Sequence, residues 1–93
     1  MDYPLKDLAE FTEYEGERIG MLIRCPNCGV AGGVMFSGTS YRQKYPGVTW
    51  ELTGDTLETI SLTPSVKMFD HFHSWVRAGQ LCVDSPFSCT KNS

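Results

Sequence analysis

The stretch Arg24-Cys25-Pro26-Asn27-Cys28-Gly29 decides how this chain is read. Two cysteines three positions apart supply two corners of a tetrahedral metal site, and Pro26 and Gly29 favour the tight turn that points both sulfurs inward. The flanks fit the same picture. Residues 18–24 read Arg-Ile-Gly-Met-Leu-Ile-Arg, a short apolar run bounded by charge. Val30 to Phe36 returns as a second run with Gly32-Gly33 inside it. Runs of this kind are strands, so the six residues form the tip of a zinc-knuckle hairpin.

A second half-site is needed. His71 and His73 are the two histidines of the chain. Residues i and i+2 of a strand share one face, so both rings would reach the same ion. The predicted centre is Zn²⁺ held by Cys25, Cys28, His71 and His73. Cys82 and Cys89 are rival ligands for the place of His71. A redox dithiol or two free thiols are the competing readings of the Cys pair. The redox motif opens a helix after a strand, and Gly29-Val30-Ala31-Gly32-Gly33 is a poor helix start.

Length makes such a staple useful. The 93 residues form a single zinc-stabilised domain, and a chain this short buries only roughly 60–65% of its unfolded surface. The net charge of −3 argues against a protein that grips nucleic acid by bulk electrostatics, although Arg42, Lys44 and Arg77 would form a local basic patch. Met1-Asp2-Tyr3-Pro4 lacks the basic start and apolar run of a secretory signal, and no stretch is long and apolar enough for a membrane span. The expected location is the cytoplasm of a host cell, where thiols stay reduced.

The remaining segments are short and punctuated by turns. Residues 4–15 read as a weak helix or irregular acidic arm, with Leu5, Leu8 and Phe11 at helical spacing and Gly16 ending it; residues 1–17 together form this arm. Residues 37–47 read as a loop, with Tyr41, Arg42 and Tyr45 as a candidate binding surface. Val48 to Leu52 alternates as a strand, and residues 58–63 form the next, with Pro64-Ser65 as a bend or edge. Phe72 to Arg77 and Gln80 to Val83 pair around Ala78-Gly79. The tail, Ser88 to Ser93, is polar apart from Cys89. The fold class is mainly β: a small antiparallel sheet or incomplete barrel with a zinc-knuckle hairpin and a minor N-terminal helix or arm.

Catalytic arrangements are less well marked. A catalytic zinc would need an open coordination position and a base, for which Asp70 or Asp84 would serve. A Ser-His-Asp set of Ser74 or Ser85 with His73 and Asp84 has no nucleophile-turn signature such as Gly-x-Ser-x-Gly. Neither arrangement is selected by spacing, so no catalytic residue is predicted and an enzyme is not the expected class.

The order of motifs resembles a family of small phage and prophage proteins that also occur in bacterial operons with ubiquitin-like conjugation genes. The matching stretches are Cys25-Pro26-Asn27-Cys28-Gly29, Trp50 to Asp55, Leu62-Thr63-Pro64-Ser65-Val66, and His73-Ser74-Trp75-Val76-Arg77-Ala78-Gly79 with Asp84-Ser85. They cover roughly residues 22–85. The family usually carries Cys before the His of the last motif, where this chain has Phe72. The resemblance thus implies Cys25, Cys28 and His73 as metal ligands and leaves His71 as the natural fourth. It carries no settled activity. The expected function is a non-enzymatic, zinc-stapled phage or prophage protein that binds a host protein, in one version a host-defence inhibitor. The alternatives are a nucleic-acid-binding zinc ribbon, and a metal-dependent hydrolase or accessory of a ubiquitin-like conjugation pathway.

Overall fold

Strict alternation builds the strand that carries His73. In the strand Phe72–Arg77, Phe72, Ser74 and Val76 are buried while His73, Trp75 and Arg77 point the other way. A strand of period two sends one set inward and the other to the outer face. The computed structural model describes residues 1–89. Of the predicted tail, residues 90–93 lie outside the described residues.

In chain order the elements are β1 (Asp2–Pro4), a 3-10 turn at Leu5–Asp7, β2 (Ala9–Tyr14), β3 (Glu17–Arg24), β4 (Ala31–Met35), α1 (Ser40–Lys44), β5 (Glu51–Thr53), β6 (Ser61–Met68), β7 (Phe72–Arg77) and β8 (Gln80–Val83). They form two antiparallel sheets, one of five strands in the order β1-β8-β7-β6-β5 and one of three in the order β2-β3-β4. A single parallel bridge, Phe36 to Trp50, ties the second sheet to the first. The fold is mainly β, as the alternation predicts, but open; neither sheet closes into a barrel. The core contains Met21 and Ile23 of one sheet, Val76 and Leu81 of the other, and Leu5 and Ile60 from the segments beside them. Among the described residues no helix is long and apolar enough to cross a membrane.

The N-terminal segment departs from expectation. Residues 9–14 are a strand, not a helix or a loose arm, paired with β3 from Ala9↔Ile23 to Tyr14↔Glu17. Leu5 and Ala9 are buried four residues apart, which imitates helical spacing. The turn residues Glu15 and Gly16 both have positive φ, 51° and 79°, the conformation of a two-residue hairpin that holds strands together. Among the described residues the one α-helix lies instead in the segment read as a loop. Thr39 caps it, its Oγ1 accepting from the Arg42 N–H at 3.2 Å.

At the far end, Ala78 and Gly79 turn β7 into β8 with φ of 47° and 78°. A side chain at Gly79 would run into the Glu58 backbone. This hairpin matters because it sets how β8 returns, and hence where the residues after Val83 fall beside β7.

Candidate active site and metal centre

The β6–β7 hairpin creates the first cluster. Lys67 faces His73 and Met68 faces Phe72 across the pair, and the register shifts between Leu62 and Val66. Ser65 and His73 therefore lie on the outer face of the sheet, opposite the side that buries Val66 and Val76. Ser65 Oγ sits 2.8 Å from His73 Nε2. On the other side of the ring, Nδ1 is 2.7 Å from Asp84 Oδ1. Asp84 follows β8 directly and is drawn in by its own N–H, which donates to the His73 carbonyl at 3.1 Å.

Both contacts specify one tautomer. A carboxylate accepts only, so Nδ1 carries the proton and donates to Asp84; Nε2 is then the lone pair that accepts the Ser65 hydroxyl. Two further bonds fix the frame. The His73 N–H donates to Ser85 Oγ at 2.9 Å, and the Trp50 indole N–H donates to the Ser65 carbonyl at 3.1 Å. The Trp75 ring lies edge-on to His73 at 6.3 Å. His73 and Asp84 are partly open to solvent, with side chains 37% and 47% exposed. A cavity of about 380 Å³ opens beside them, lined by Lys67, His71, His73, Ser85 and Phe87 among others. That volume lies within the range of ligand pockets. Serine, imidazole and carboxylate stand in the order of an arrangement that recurs on unrelated folds, in which the imidazole can take the serine's proton.

The serines named from sequence do not meet His73 Nε2. Ser74 is fully buried and its hydroxyl donates to the Val66 carbonyl at 3.2 Å. Ser85 accepts from the His73 backbone and supports the ring instead of meeting Nε2. Ser65 was missed because it stands after a proline in a strand, with no turn motif around it. The available signal was the hairpin: with a short loop at residues 69–71, Ser65 and His73 fall on one face of adjacent strands.

The second cluster lies next to the first. Cys25, Cys28, His71 and Cys89 bring one donor atom each to within 4.8 Å of one another. Cys25 Sγ is 3.6 Å from Cys89 Sγ, and Cys28 Sγ is 3.2 Å from His71 Nδ1. Donors bound to one tetrahedral zinc stand about 3.5–3.8 Å apart, from bond lengths of about 2.0–2.3 Å. Three thiols and one imidazole at this spacing are compatible with a metal ion. The knuckle itself is built as read: Gly29 takes φ of 81°, its N–H donates to the Cys25 carbonyl at 2.8 Å, and Cys25 N–H donates to the Val30 carbonyl at 2.9 Å.

His73 is not in this cluster. Both ring nitrogens are taken by Ser65 and Asp84, and Cys89 stands where His73 was expected. The reason is alternation: His71 lies in the turn before β7 begins, so the two histidines do not share a strand face. Cys82 lies on β8 opposite Trp75, away from the donors. Electrostatics within the cluster are uneven. The Asn27 amide donates to Cys89 Sγ at 3.2 Å and holds that thiol down at about 7; His71 and the neighbouring cysteines add to the effect. Burial pushes the Cys25 thiol up, while the N–H groups of Cys28 and Asn27 pull it back in part.

The residues Tyr41, Arg42 and Tyr45 are placed together on α1 and its end. Tyr41 packs between Tyr14 and Tyr45, with centroids at 5.2 and 5.1 Å. The Arg42 guanidinium donates to the carbonyls of Tyr45 and Val48 at 2.9 and 3.1 Å, closing its own loop.

Comparison with curated proteins and with solved structures gives no match. Among protein families the match runs over residues 4–83, which hold Ser65, His73, Cys25, Cys28 and His71 and end just before Asp84. The family is described as bacterial ubiquitination-like system serine protease (BubE), and the chain belongs to it.

Proposed function

We propose that this chain is a serine protease that cleaves an amide bond at the C-terminal tail of a ubiquitin-like modifier. The carrying observation is the two-sided engagement of His73, by Ser65 on Nε2 and by Asp84 on Nδ1. The family description supplies the class of pathway. The sheet's open outer face supplies access to a protein substrate.

The chemistry follows from the bonds. Ser65 Oγ attacks the substrate carbonyl as its proton passes to His73 Nε2. The imidazolium so formed is stabilised by Asp84, which stays ionised. Collapse breaks the carbon–nitrogen bond, and His73 returns the proton to the departing amine. Water then attacks the Ser65 ester with His73 again as base, releasing the acid and restoring the serine. In the same reading Zn²⁺ fills the centre of Cys25, Cys28, His71 and Cys89, where a closed four-donor set gives it a structural role. Nothing at Tyr41, Arg42 and Tyr45 favours a host-protein binder over this reading, since Arg42 is spent on its own loop.

A fluorophosphonate probe tests the assignment. Phosphonylation of Ser65, found by peptide mass spectrometry and absent from Ser65→Ala and His73→Ala, is the expected result. Labelling of another residue, or none in folded protein, would overturn it.

A further inference from the structure

The segment that carries the triad's acid ends in a metal donor. From Asp84 to Cys89 the chain runs back along the start of β7 as a strap that pairs in no strand among the described residues. Its contacts follow one another along the segment. Asp84 N–H donates to the His73 carbonyl at 3.1 Å, Ser85 Oγ accepts from the His73 N–H at 2.9 Å, and Ser88 N–H donates to the His71 carbonyl at 2.8 Å. Phe87 meets Phe72 edge-on at 5.8 Å. At its end, Cys89 reaches the knuckle: the Asn27 amide donates to its carbonyl at 3.1 Å and to its sulfur at 3.2 Å, and Cys25 Sγ lies 3.6 Å away. The strap thus touches the catalytic histidine at one end and the thiol cluster at the other. His71, two residues before His73, belongs to the same cluster.

We infer that the thiol–imidazole centre is the anchor of the triad: a thiophilic divalent ion held by Cys25, Cys28, His71 and Cys89 pins the strap against β7, and through it sets the Asp84–His73 bond. The ion takes no part in the reaction. Cys89 acts as a positioning residue for Asp84, and Ser85 as one for the His73 backbone. The inference rests on the serine-protease reading and goes beyond it, because it makes the competence of a serine nucleophile depend on a metal that touches none of the three triad side chains. A partly exposed His–Asp pair has little of its own to hold it, so an external tether has room to matter. Groups that orient a metal's ligands change affinity or activity by roughly 10- to 100-fold when removed, and the same order is expected for a tether that orients Asp84.

Cys89→Ala releases the end of the strap and leaves three donors for the ion. Three quantities are measured in protein loaded with Zn²⁺: the melting temperature, the second-order rate at which a fluorophosphonate modifies Ser65, and the low-field proton resonance of the His73 Nδ1–H···Asp84 bond. The expected result is a folded variant with weaker zinc retention, Ser65 modification slowed roughly 10- to 100-fold, and a broadened or lost low-field proton. Cys89→His, which puts a nitrogen donor in place of the sulfur, should recover most of the rate. A double-mutant cycle locates the effect: in an Asp84→Ala background, Cys89→Ala should cost almost nothing further. An unchanged labelling rate in Cys89→Ala, or the same loss with and without Asp84, overturns the inference while leaving Ser65 as the nucleophile. Wild-type protein that holds no zinc also overturns it. A wild type whose Ser65 never labels defeats the protease reading instead. Should Cys89→Ala fail to fold, Asn27→Ala is run through the same cycle, since it keeps all four donors and removes only the amide that holds Cys89; a loss confined to the Asp84 background again supports the anchor, and no loss overturns it.

Discussion

Asp84→Asn separates chemistry from stability at a single position. The carboxylate accepts the Nδ1 proton at 2.7 Å. An amide in its place can present its NH₂ group, which favours the opposite tautomer, with the proton on Nε2 and no lone pair facing Ser65. In the serine-protease template, loss of this acid with geometry kept lowers turnover by about 10⁴-fold, equivalent to roughly 5.4 kcal/mol at about 1.36 kcal/mol per tenfold. The effect on folding should be far smaller. The pair is an exposed one, 37% and 47% open, and such pairs contribute at most about 1 kcal/mol. The asparagine also keeps the backbone N–H that donates to the His73 carbonyl. The assay is hydrolysis of an activated ester, p-nitrophenyl acetate, alongside fluorophosphonate modification of Ser65 and a thermal melt. The expected pattern is a fall of several thousandfold in both rates with a melting temperature within a few degrees of wild type. Rates within threefold of wild type would refute the triad. A large rate loss accompanied by collapse of the melt would mean that Asp84 is a structural residue, and would refute the separation.

Three further outcomes follow from the same geometry. Cys25→Ser removes a donor that is 2% exposed and sits in the core; it should abolish cooperative melting and zinc retention together, because ion binding and folding are linked in small centres, and a zinc-free variant with a wild-type melt would contradict this. Gly79→Ala should destabilise by about 2–5 kcal/mol, from about 1–2 for a left-handed residue and about 1–3 for forcing the new methyl against the Glu58 backbone; a melt shifted by less than a few degrees would be the contrary result. In metal-stripped protein, alkylation of Cys89 by iodoacetamide should rise through a midpoint at about 7, since the thiolate is the reactive form and the Asn27 amide favours it. Asn27→Ala withdraws that donor, so the midpoint should move up and the rate at neutral pH fall; an unmoved midpoint would show that the amide does not tune the thiol.

Local chemistry was legible in the chain and long-range placement was not. The knuckle could be read because its geometry is set within six residues: Gly29 needs positive φ, and the Cys25 carbonyl is met by an N–H four positions on. The strands β3, β4, β7 and β8 could be read for the same reason, from alternation and from turns such as Ala78-Gly79. Residues 4–15 misled because Leu5, Leu8 and Phe11 stand three apart, an interval met here by a 3-10 turn leading into a strand. Periodicity over so few residues does not distinguish the two. Tyr41 to Tyr45 looked like loop because only Thr39, an ordinary cap residue, announced the short helix.

The two clusters show what decides between candidate site residues once the types are known. His71 and His73 are equally good zinc ligands by chemistry, and the sequence spacing treats them alike. The difference arises at the start of β7. His71 precedes the strand, in the turn that faces the knuckle. His73 is its second residue and shares the outer face with Ser65 of β6. One histidine is thereby committed to thiols and the other to a hydroxyl and a carboxylate. Cys89 and Asp84 are sorted by the same hairpin, five residues apart on one returning strap, with the carboxylate level with His73 and the thiol level with Cys25. Neither the nucleophile nor the fourth donor can be named without the register of β6 against β7 and of the strap against β7. That register is a property of paired strands, fixed by which side chains reach the core, and Val66, Phe72 and Val76 are the residues that fix it here.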